Sequence, residues 1–399
     1  MGGSLSDGTG VMTEEYRFDA YRRPDGSVGL RNDLLILSLS GLTTPIARRV
    51  ASALPQAKVI TVPYTGGIIG EDAVLRRRML SGFATHPNVG AVLVISCNPI
   101  EGNLYRDVVE ASGRPAAKLV LDDYGHDGLR LTDAAIRAGA RLLRELSAMR
   151  RSPAALSDLC IGVECGRSDT SSGVASNPLV GRIADAVVAG GGRVMGGETM
   201  EWFGAEHLLE KRAATPAVAE RLREAVDRRM QRAEAAGIDL IGSNPGPANI
   251  AMGLSTLEEK SLGAVMKTGT SPVYGVLQHG EAPAGPGLWL MDQPFYSTES
   301  LSGFVAAGAH MVLFTTGPGN SFVSLLAPTV KLSANAVACR ELTEQIDFDA
   351  SGILTGEMTF DDASKALLQH MMGVASGTST FGEILGEGDE TISRNGETL

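Results

Sequence analysis

Residues 159–189 read LCIGVECGRSDTSSGVASNPLVGRIADAVVA, and this stretch decides the fold. Its first five residues are small or apolar and predict a buried strand, whereas residues 178–189 predict an apolar helix. Polar residues lie between the two, with Gly166 and Gly173 at points where the chain can turn sharply. A strand, a glycine-containing polar loop and a helix form the repeating unit of an α/β fold with a parallel sheet.

The same unit recurs along most of the chain. Predicted strands lie at residues 34–39, 58–62, 91–95, 118–121, 193–195, 287–291 and 311–315, and predicted helices at 45–54, 71–83, 131–149 and 216–236. This alternation predicts the α/β fold class, with two consecutive doubly wound, mostly parallel-sheet domains. The predicted N-terminal α/β domain covers residues 15–150, and the predicted C-terminal α/β domain, with most candidate site residues, covers 159–399. Residues 150–158 are predicted to be a linker, and residues 1–14 a disordered leader.

The composition excludes several classes of function. The formal net charge is -11 and no basic tract is present, so nucleic acid is excluded as a partner. Neither an apolar run of membrane-spanning length nor a signal peptide is found, so no membrane association is expected. The chain has four cysteines and none forms a CxxC pair, which favours a reducing, cytoplasmic location.

Two polar clusters follow predicted strands, and loops at the carboxyl ends of strands form the ligand crevice of a doubly wound sheet. In the first cluster, Ser168, Asp169 and Asn177 offer hydrogen-bond donors, an acceptor and a metal ligand, although these residue types also cap helices. In the second, Glu198 and Glu201 could bind a hard divalent cation together with His207, which could supply a base. The alternative is that these side chains are only solvated at the start of a helix.

Two further clusters suit the binding of anions. Thr316 and Gly317 belong to a glycine-rich turn after a predicted strand, whose backbone N–H groups could face a carboxylate. No lysine follows this turn, so it is not a nucleotide-binding P-loop and no nucleotide cofactor is expected. Lys260 and Lys267 could bind a substrate carboxylate, or they could be ordinary surface lysines.

In this order, the clusters resemble the altronate/galactarate dehydratase family, in its large catalytic region, a family that also includes the large subunit of sulfolactate sulfo-lyase. The motifs that carry the resemblance are RSDTSSG at residues 167–173, NP at 177–178, GAEHLL at 204–209, LEEKSLG at 257–263, FTTG at 314–317 and DFDA at 347–350. The resemblance implies a lyase that removes water from a hydroxy or sugar acid to give a 2-keto-3-deoxy acid, usually with a divalent metal. In such an elimination a base takes the α-proton and a cation stabilises the enolate-like charge.

The clusters and the resemblance together assign roles to ten residues. His207 is the expected base, because an unperturbed imidazole accepts protons near neutral pH. The assignments are His207, Glu201 and Lys260 as catalytic residues, Ser168, Asn177, Thr316, Gly317 and Lys267 as substrate-binding residues, and Asp169 and Glu198 as metal ligands.

The chain also departs from the family pattern. Ser40-Gly41-Leu42, Gly67-Ile68 and Ser96-Cys97-Asn98 stand where the family tends to have metal-binding side chains, and only Cys97 is kept. Arg167 stands where glycine is expected, and Pro318 where arginine is expected. The predicted cofactor is therefore a divalent ion such as Mg²⁺, Mn²⁺, Ca²⁺ or Fe²⁺, not an iron–sulfur cluster, which needs several cysteine ligands.

The resemblance leaves partners and reaction open. The family's small amino-terminal domain has no counterpart in the chain, which implies a separate small subunit, or else a standalone variant; a homo-oligomer is also expected. Two alternatives to a dehydratase remain. One is a carbon–sulfur lyase of the sulfolactate sulfo-lyase type, and the other is a catalytically eroded paralogue that binds a sugar acid or regulates a partner subunit.

Overall fold

The computed structural model describes residues 16–238, 244–396 and 398. The predicted leader at residues 1–14 lies outside this part of the chain. The strands are β1 (Arg17–Arg22), β2 (Val28–Gly29), β3 (Asp33–Ser38), β4 (Ala57–Thr61), β5 (Val89–Ser96), β6 (Ala116–Val120), β7 (Ser152–Ala155), β8 (Cys160–Cys165), β9 (Arg193–Gly196), β10 (Val273–Gln278), β11 (Gly287–Asp292), β12 (Met311–Thr315), β13 (Val323–Ser324), β14 (Thr329–Ser333), β15 (Phe348–Asp349) and β16 (Gly388–Asp389).

Helices occupy most of the connections between these strands. They are α1 (Thr44–Ala53), α2 (Gly70–Ala84), α3 (Pro99–Ala111), α4 (Gly128–Ser147), α5 (Asn177–Ala189), α6 (Glu206–Glu210), α7 (Pro216–Ala235), α8 (Pro247–Ala251), α9 (Leu257–Val265), α10 (Ser297–Ala306), α11 (Ala336–Glu341), α12 (Gly352–Thr355), α13 (Phe360–Ala375) and α14 (Phe381–Leu385). Within the described residues, no helix combines the length and the apolarity that crossing a membrane requires.

The first large sheet is parallel and has the strand order β4-β3-β5-β6. Successive side chains of a strand point to opposite faces of its sheet. Leu35 and Leu37 of β3 pack with residues of α2 and α3, whereas Leu34 and Ile36 pack with residues of α1 and α4. Helices therefore cover both faces of this sheet, as the doubly wound prediction requires.

The second large sheet has seven strands in the order β10-β11-β9-β8-β12-β14-β15, all parallel. On one face Ile161 and Val163 of β8 belong to the core that includes α5 and α13. On the other face Phe304 of α10 lies directly on Gly162, where a Cβ atom would be 2.9 Å from the phenyl ring. Glycine inside β8 thus allows α10 to approach the sheet. The predicted α/β fold class is confirmed.

A small antiparallel sheet lies beside the two large ones. Its order is β2-β1-β7, and Arg17 to Ala20 pair with Ala155 to Ser152. The segment predicted to be a linker, residues 150–158, therefore contains a strand and a 3-10 turn, Leu156–Asp158. The division into domains at residues 15–150 and 159–399 stays a prediction.

The candidate site depends on three adjacent strands of the second sheet. β9, β8 and β12 lie side by side and run parallel, so the loops that follow them leave from the same edge. Two residues other than glycine adopt left-handed backbone conformations in these loops, Arg167 with φ 57° and Glu198 with φ 66°. Such conformations cost free energy and concentrate at functional sites.

Candidate active site

Three potential ligand side chains converge at the edge of the second sheet. Cys165 is the last residue of β8, and Glu198 and Glu201 belong to the loop after β9. The thiol sulfur and one carboxylate oxygen of each glutamate all lie within 4.8 Å of one another. The thiol donates a hydrogen bond of 3.0 Å to Glu201 Oε2 and lies 3.7 Å from Glu198 Oε1. All three residues are buried.

Two lysines complete what we term the buried cluster, namely Cys165, Glu198, Glu201, Lys260 and Lys267. Lys267, in the turn after α9, places its Nζ 2.6 Å from Glu198 Oε2 and 3.5 Å from Glu201 Oε2. The same ammonium donates to Cys165 Sγ over 3.3 Å. Lys260, in α9, lies 3.1 Å from Glu201 Oε1 and donates to Asn244 Oδ1. Glu201 therefore lies between two ammonium groups.

These surroundings separate the pKa values of the two glutamates. Burial, followed by the negative charge of Glu201, raises the pKa of Glu198 to about 8, although Lys267 opposes the shift. Burial also acts to raise the pKa of Glu201, but the charges of Lys260 and Lys267 and hydrogen bonds from Cys165 and Lys260 outweigh it and lower that pKa to about 2. At neutral pH Glu201 is therefore ionised, while Glu198 mostly holds a proton.

The thiol and the two ammonium groups keep their protons. Burial and the charges of the two glutamates raise the pKa of Cys165 well above the usual thiol value. Burial would lower the pKa of Lys267, but the negative groups around it raise that pKa well above its usual value. The pKa of Lys260 is raised in the same way, against burial, mainly by Glu201. With Glu198 protonated, the buried cluster carries a net charge of about +1.

Another carboxyl group lies behind the buried cluster. Glu164, next to Cys165 on β8, is fully buried, and burial followed by the charge of Glu198 raises its pKa well above the usual value. Ser300 of α10 donates a 2.6 Å hydrogen bond to Glu164 Oε2. Glu164 is thus a fully buried carboxyl group held between the sheet and α10.

A cavity of about 410 Å³ opens onto the buried cluster. Cys165, Glu201 and Lys260 contribute directly to its wall, and the other lining residues are mostly small, polar or aromatic: Gly166, Arg167, Ser168, Ala248, Asn249, Phe295, Tyr296, Ser297, Thr298, Asn320, Ser321 and Phe322. The volume falls within the size range of small-molecule sites. Chemically, the site offers a permanent carboxylate, a protonated carboxyl group and two ammonium groups beside a space for a small acid.

Five of the ten predicted site residues lie at this place. Glu201, Lys260 and Ser168 line the cavity, and Glu198 and Lys267 lie in the buried cluster. Lys267 does not reach the cavity wall, because its ammonium group is held by Glu198, Glu201 and Cys165. The roles assigned to these five residues stay predictions.

Four others have hydrogen bonds that stabilise the loops around the site. Asp169 uses both oxygens, accepting from Ser171, from Ser172 and from Asn335 Nδ2, and it is not part of the cysteine–glutamate triad. Asn177 bridges Thr315 and the carbonyl of Gly263. The Thr316 hydroxyl accepts from the Gly319 amide, and a Cβ at Gly317 would lie 2.4 Å from Asp169 Cγ. These four residues hold the backbone of the loops in place, and none of them lines the cavity.

His207 lies away from the cavity. It is an exposed residue in the first turn of α6 and is absent from the residues that surround the cavity. Gly204 permits the chain to turn before α6, with φ 80°, but the turn directs Trp202 and Phe203, not His207, into buried positions. Its predicted role as the base gains no support from this placement.

Sequence reasoning missed Cys165, Glu164 and Asn244 as parts of the site. Glu164 carried a signal, because a carboxyl group in a buried strand needs a partner or a raised pKa, and Cys165 follows it directly. Asn244 gave no such signal, since its role depends on Lys260, sixteen residues away. Its Nδ2 also donates to the carbonyl of Met200, so Asn244 ties α9 to the loop that carries Glu201.

The departures in the first half of the chain do not touch this site. Ser40, Gly67 and Cys97 lie in loops at the edge of the first large sheet, and none of them lines the cavity. The Arg167 departure does touch it, because Arg167 lines the cavity and adopts a left-handed backbone conformation that glycine adopts without strain.

Comparisons with known proteins cover almost the whole chain. The family model described as "D-galactarate/Altronate dehydratase, C-terminal" matches residues 156–398, and the one described as "D-galactarate dehydratase/Altronate hydrolase, second domain" matches residues 20–149. This chain belongs to the galactarate/altronate dehydratase family. The resemblance stated from the sequence is confirmed.

Relatives within this family carry names of two kinds. The chain is 35% identical to the (2R)-sulfolactate sulfo-lyase subunit beta of Chromohalobacter salexigens, over 94% of this chain and 97% of that protein. It is 34% identical to the altronate dehydratase of Escherichia coli, over 95% of this chain and 78% of that protein. The galactarate dehydratase (L-threo-forming) of E. coli is 29% identical, over 91% of this chain and 73% of that protein. The family is therefore one of lyases.

Proposed function

We propose that this protein is a hydro-lyase that eliminates water from a sugar acid to give a 2-keto-3-deoxy acid. The observation that carries the proposal is the pair Glu198 and Glu201, whose pKa values are driven apart in one buried cluster beside a cavity. Two carboxyl groups with separated pKa values supply an acid and a base at the same pH. The names of the dehydratase relatives support this reaction.

In the proposed reaction Glu201 is the base. It lines the cavity and is ionised, so it can accept the proton on the carbon next to the substrate carboxylate. The electron pair of that C–H bond forms the carbon–carbon double bond, and the hydroxyl on the neighbouring carbon leaves. The resulting enol becomes the 2-keto acid by proton transfer.

The leaving hydroxyl needs a proton, and Glu198 holds one. Glu198 itself does not line the cavity, but it lies 3.7 Å from the Cys165 thiol, which does. The thiol can give its proton to the leaving oxygen and take one from Glu198, so that water departs. The Lys260 ammonium on the cavity wall stabilises the enolate-like charge on the substrate carboxylate, and Asn244 holds that ammonium in place.

The triad of Cys165, Glu198 and Glu201 also has the donor types for a divalent cation. A thiol beside two carboxylates suits a borderline metal such as Fe²⁺ or Zn²⁺ better than Mg²⁺ or Ca²⁺, which prefer oxygen ligands. Bound there, such a cation would supply Lewis-acid stabilisation of a substrate oxygen. Lys267 contacts all three residues, so its ammonium and a cation compete for the same ligands. The divalent ion predicted from the sequence has Asp169 and Glu198 as ligands, so that prediction shares Glu198 with this triad and omits the thiol.

The second candidate reaction is carbon–sulfur cleavage. It is favoured by the sulfo-lyase relative, because the match with this chain covers 97% of that protein. Glu201 would again be the base and the Lys260 ammonium would again stabilise the charge, and sulfite would leave in place of hydroxide. An eroded paralogue is disfavoured, because four ionisable residues remain buried together beside a cavity, where loss of function would remove the need for them.

The remaining proposals concern assembly and location. We propose a separate small subunit, because the sulfo-lyase relative is named a beta subunit. We also propose that the protein is a cytoplasmic homo-oligomer and that its two α/β domains cover residues 15–150 and 159–399.

The function is tested by incubating the purified protein with altronate, galactarate and sulfolactate, while 2-keto acid and sulfite are measured. We expect keto acid from at least one sugar acid without sulfite. Sulfite from sulfolactate alone would favour the second candidate. The Glu201→Gln variant should form product at least about a hundredfold more slowly, and a near-normal rate in this variant would contradict the proposed base.

A further inference from the structure

Arg167 is a cationic residue of the cavity wall that lies outside the buried cluster. It is exposed, it lines the cavity, and its backbone adopts φ 57°. The carbonyl of Arg167 accepts a hydrogen bond from the Gly317 amide, which fixes the loop in this conformation. A left-handed arginine is conformationally costly compared with glycine, so the side chain at this position needs a function that offsets the cost.

The guanidinium group is available to a ligand. It makes no hydrogen bond, ion pair or ring contact with any residue that the structure describes. Most arginines that border cavities elsewhere in the described chain are already engaged, as Arg228 is with Asp292 and Arg78 with Gln278. A planar guanidinium matches carboxylate and sulfonate oxygens with two parallel N–H donors.

The cavity therefore presents positive charge at two separate places. One is Lys260, whose ammonium lies 3.1 Å from the Glu201 carboxylate, and the other is Arg167, which has no ion-pair partner among the described residues. Lys260 and Arg167 line the same cavity, so one small acid with two anionic groups can contact a cation at each place.

Uncharged donors on the same wall add to this anion-binding character. The backbone N–H groups of Ser297 and Thr298, in the first turn of α10, have no hydrogen-bond acceptor among the described residues, and both residues line the cavity. They can share the oxygens of an anion with Arg167.

We propose that Arg167 is a specificity-determining residue that binds a second anionic group of the substrate, a carboxylate or a sulfonate distal to the reacting carbon. The substrate class is then a dianionic hydroxy acid, not an aldonic acid with one carboxylate. The inference rests on the proposed function for its choice of hydroxy acids as ligands. It concerns binding, and its test does not depend on turnover.

Isothermal titration calorimetry with matched probes tests the proposal. Galactarate and galactonate differ at one end, where a carboxylate replaces a hydroxymethyl group, and sulfolactate and lactate differ by a sulfonate. We expect the wild-type protein to bind the dianion of each pair at least about tenfold more tightly, as a charge-assisted contact allows. Arg167→Gly should remove this preference, and Arg167→Lys should keep part of it.

The glycine variant is well suited to the test, because it relieves the strained backbone and should not lower the melting temperature. His126→Gly is the matched control: it relieves an exposed left-handed residue, φ 62°, that does not line the cavity. Equal affinity of the wild-type protein for both members of each pair would overturn the proposal, as would a preference that survives in Arg167→Gly. Selective binding without any elimination would defeat the proposed function and leave this inference standing.

Discussion

Lys267 Nζ lies 2.6 Å from Glu198 Oε2, and neither side chain is more than 3% exposed. A buried ammonium and a buried carboxyl group this close form one electrostatic unit, because no solvent screens the charge of either group. Removing one partner of such a pair is far more disruptive than replacing both. This relationship fixes how the buried cluster responds to mutation and to pH.

Lys267→Met is expected to lower the free energy of unfolding by about 3–5 kcal/mol, because it leaves the buried Glu198 without its ammonium partner and Glu201 with Lys260 alone. Adding Glu198→Gln should recover part of this loss, and a double-mutant cycle by chemical denaturation measures the coupling. Losses that simply add would show that the two residues act independently.

Glu201→Gln is expected to reduce kcat by about two to four orders of magnitude, the usual worth of general acid–base catalysis. The exposed Glu220→Gln on α7 provides the control and should match the wild type. Steady-state kinetics on the best substrate measures both. A Glu201→Gln enzyme with near-normal kcat would remove this residue from the mechanism.

The alkaline limb of the activity profile should report on Glu198. As a proton donor it is competent below its pKa of about 8, so kcat should fall as pH rises through 8. Glu198→Gln should lower kcat and abolish this limb. The prediction fails if the limb persists unchanged in the variant.

The free energy of unfolding should also depend on the protonation of Glu198, and it should fall as pH rises. Burial raises the folded-state pKa of Glu198 from 4.5 to about 8, so the folded protein holds one more proton between these values. Its contribution to stability is complete below pH 4.5 and is lost as pH rises to 8, at up to about 1.4 kcal/mol per pH unit. Urea denaturation at a series of pH values across this window measures the free energy of unfolding. This free energy should fall less steeply with pH in Glu198→Gln than in the wild type.

Metal binding should depend on the thiol of Cys165. After anaerobic loading with Fe²⁺ and gel filtration, Cys165→Ser should retain iron at least about tenfold more weakly than the wild type, because it loses a ligand. Cys97→Ser, whose thiol does not line the cavity, is the control. Elemental analysis measures the metal, and equal retention of iron by both variants would argue against the triad.

His207→Gln is expected to leave kcat and KM within about twofold of the wild type, because exposed substitutions away from a site have small effects. The exposed position of His207 on α6 is the reason. A loss of two orders of magnitude or more would restore the imidazole as the base and would require α6 to move during catalysis.

The strand–loop–helix repeat could be predicted from the sequence because burial of whole strands leaves apolar runs such as residues 34–39 and 311–315. The polar loops at the carboxyl edge of the second sheet followed from the same repeat, and they did contain Glu198, Glu201 and Ser168. β1 and β7 were not predicted, because β1 reads RFDAYR and has no apolar run, and β7 has only four residues, one of them Pro153.

The roles within the site were harder to predict. Asp169 and Asn177 have the residue types of a ligand and a substrate donor, but their neighbours use up their hydrogen bonds. His207 was favoured for its intrinsic basicity, whereas the acid and base that we propose are two glutamates buried beside two lysines. Such pKa values depend on three-dimensional neighbours, and a linear sequence does not contain those distances.

The pairing of β1 with β7 has a consequence for synthesis on the ribosome. Ala20 pairs with Ser152, and the amide of Asp19 donates to Ser376. The first strand to emerge must therefore wait about 130 residues for its partner, or roughly 7–26 s at 5–20 residues per second. During that interval the first large sheet can assemble on local connections alone. The pairing of β1 with β7 can form once residues 152–155 have emerged, whereas the hydrogen bond from Asp19 forms only after Ser376 has emerged. Truncation before Ser376 should therefore remove the later contact and leave the earlier one.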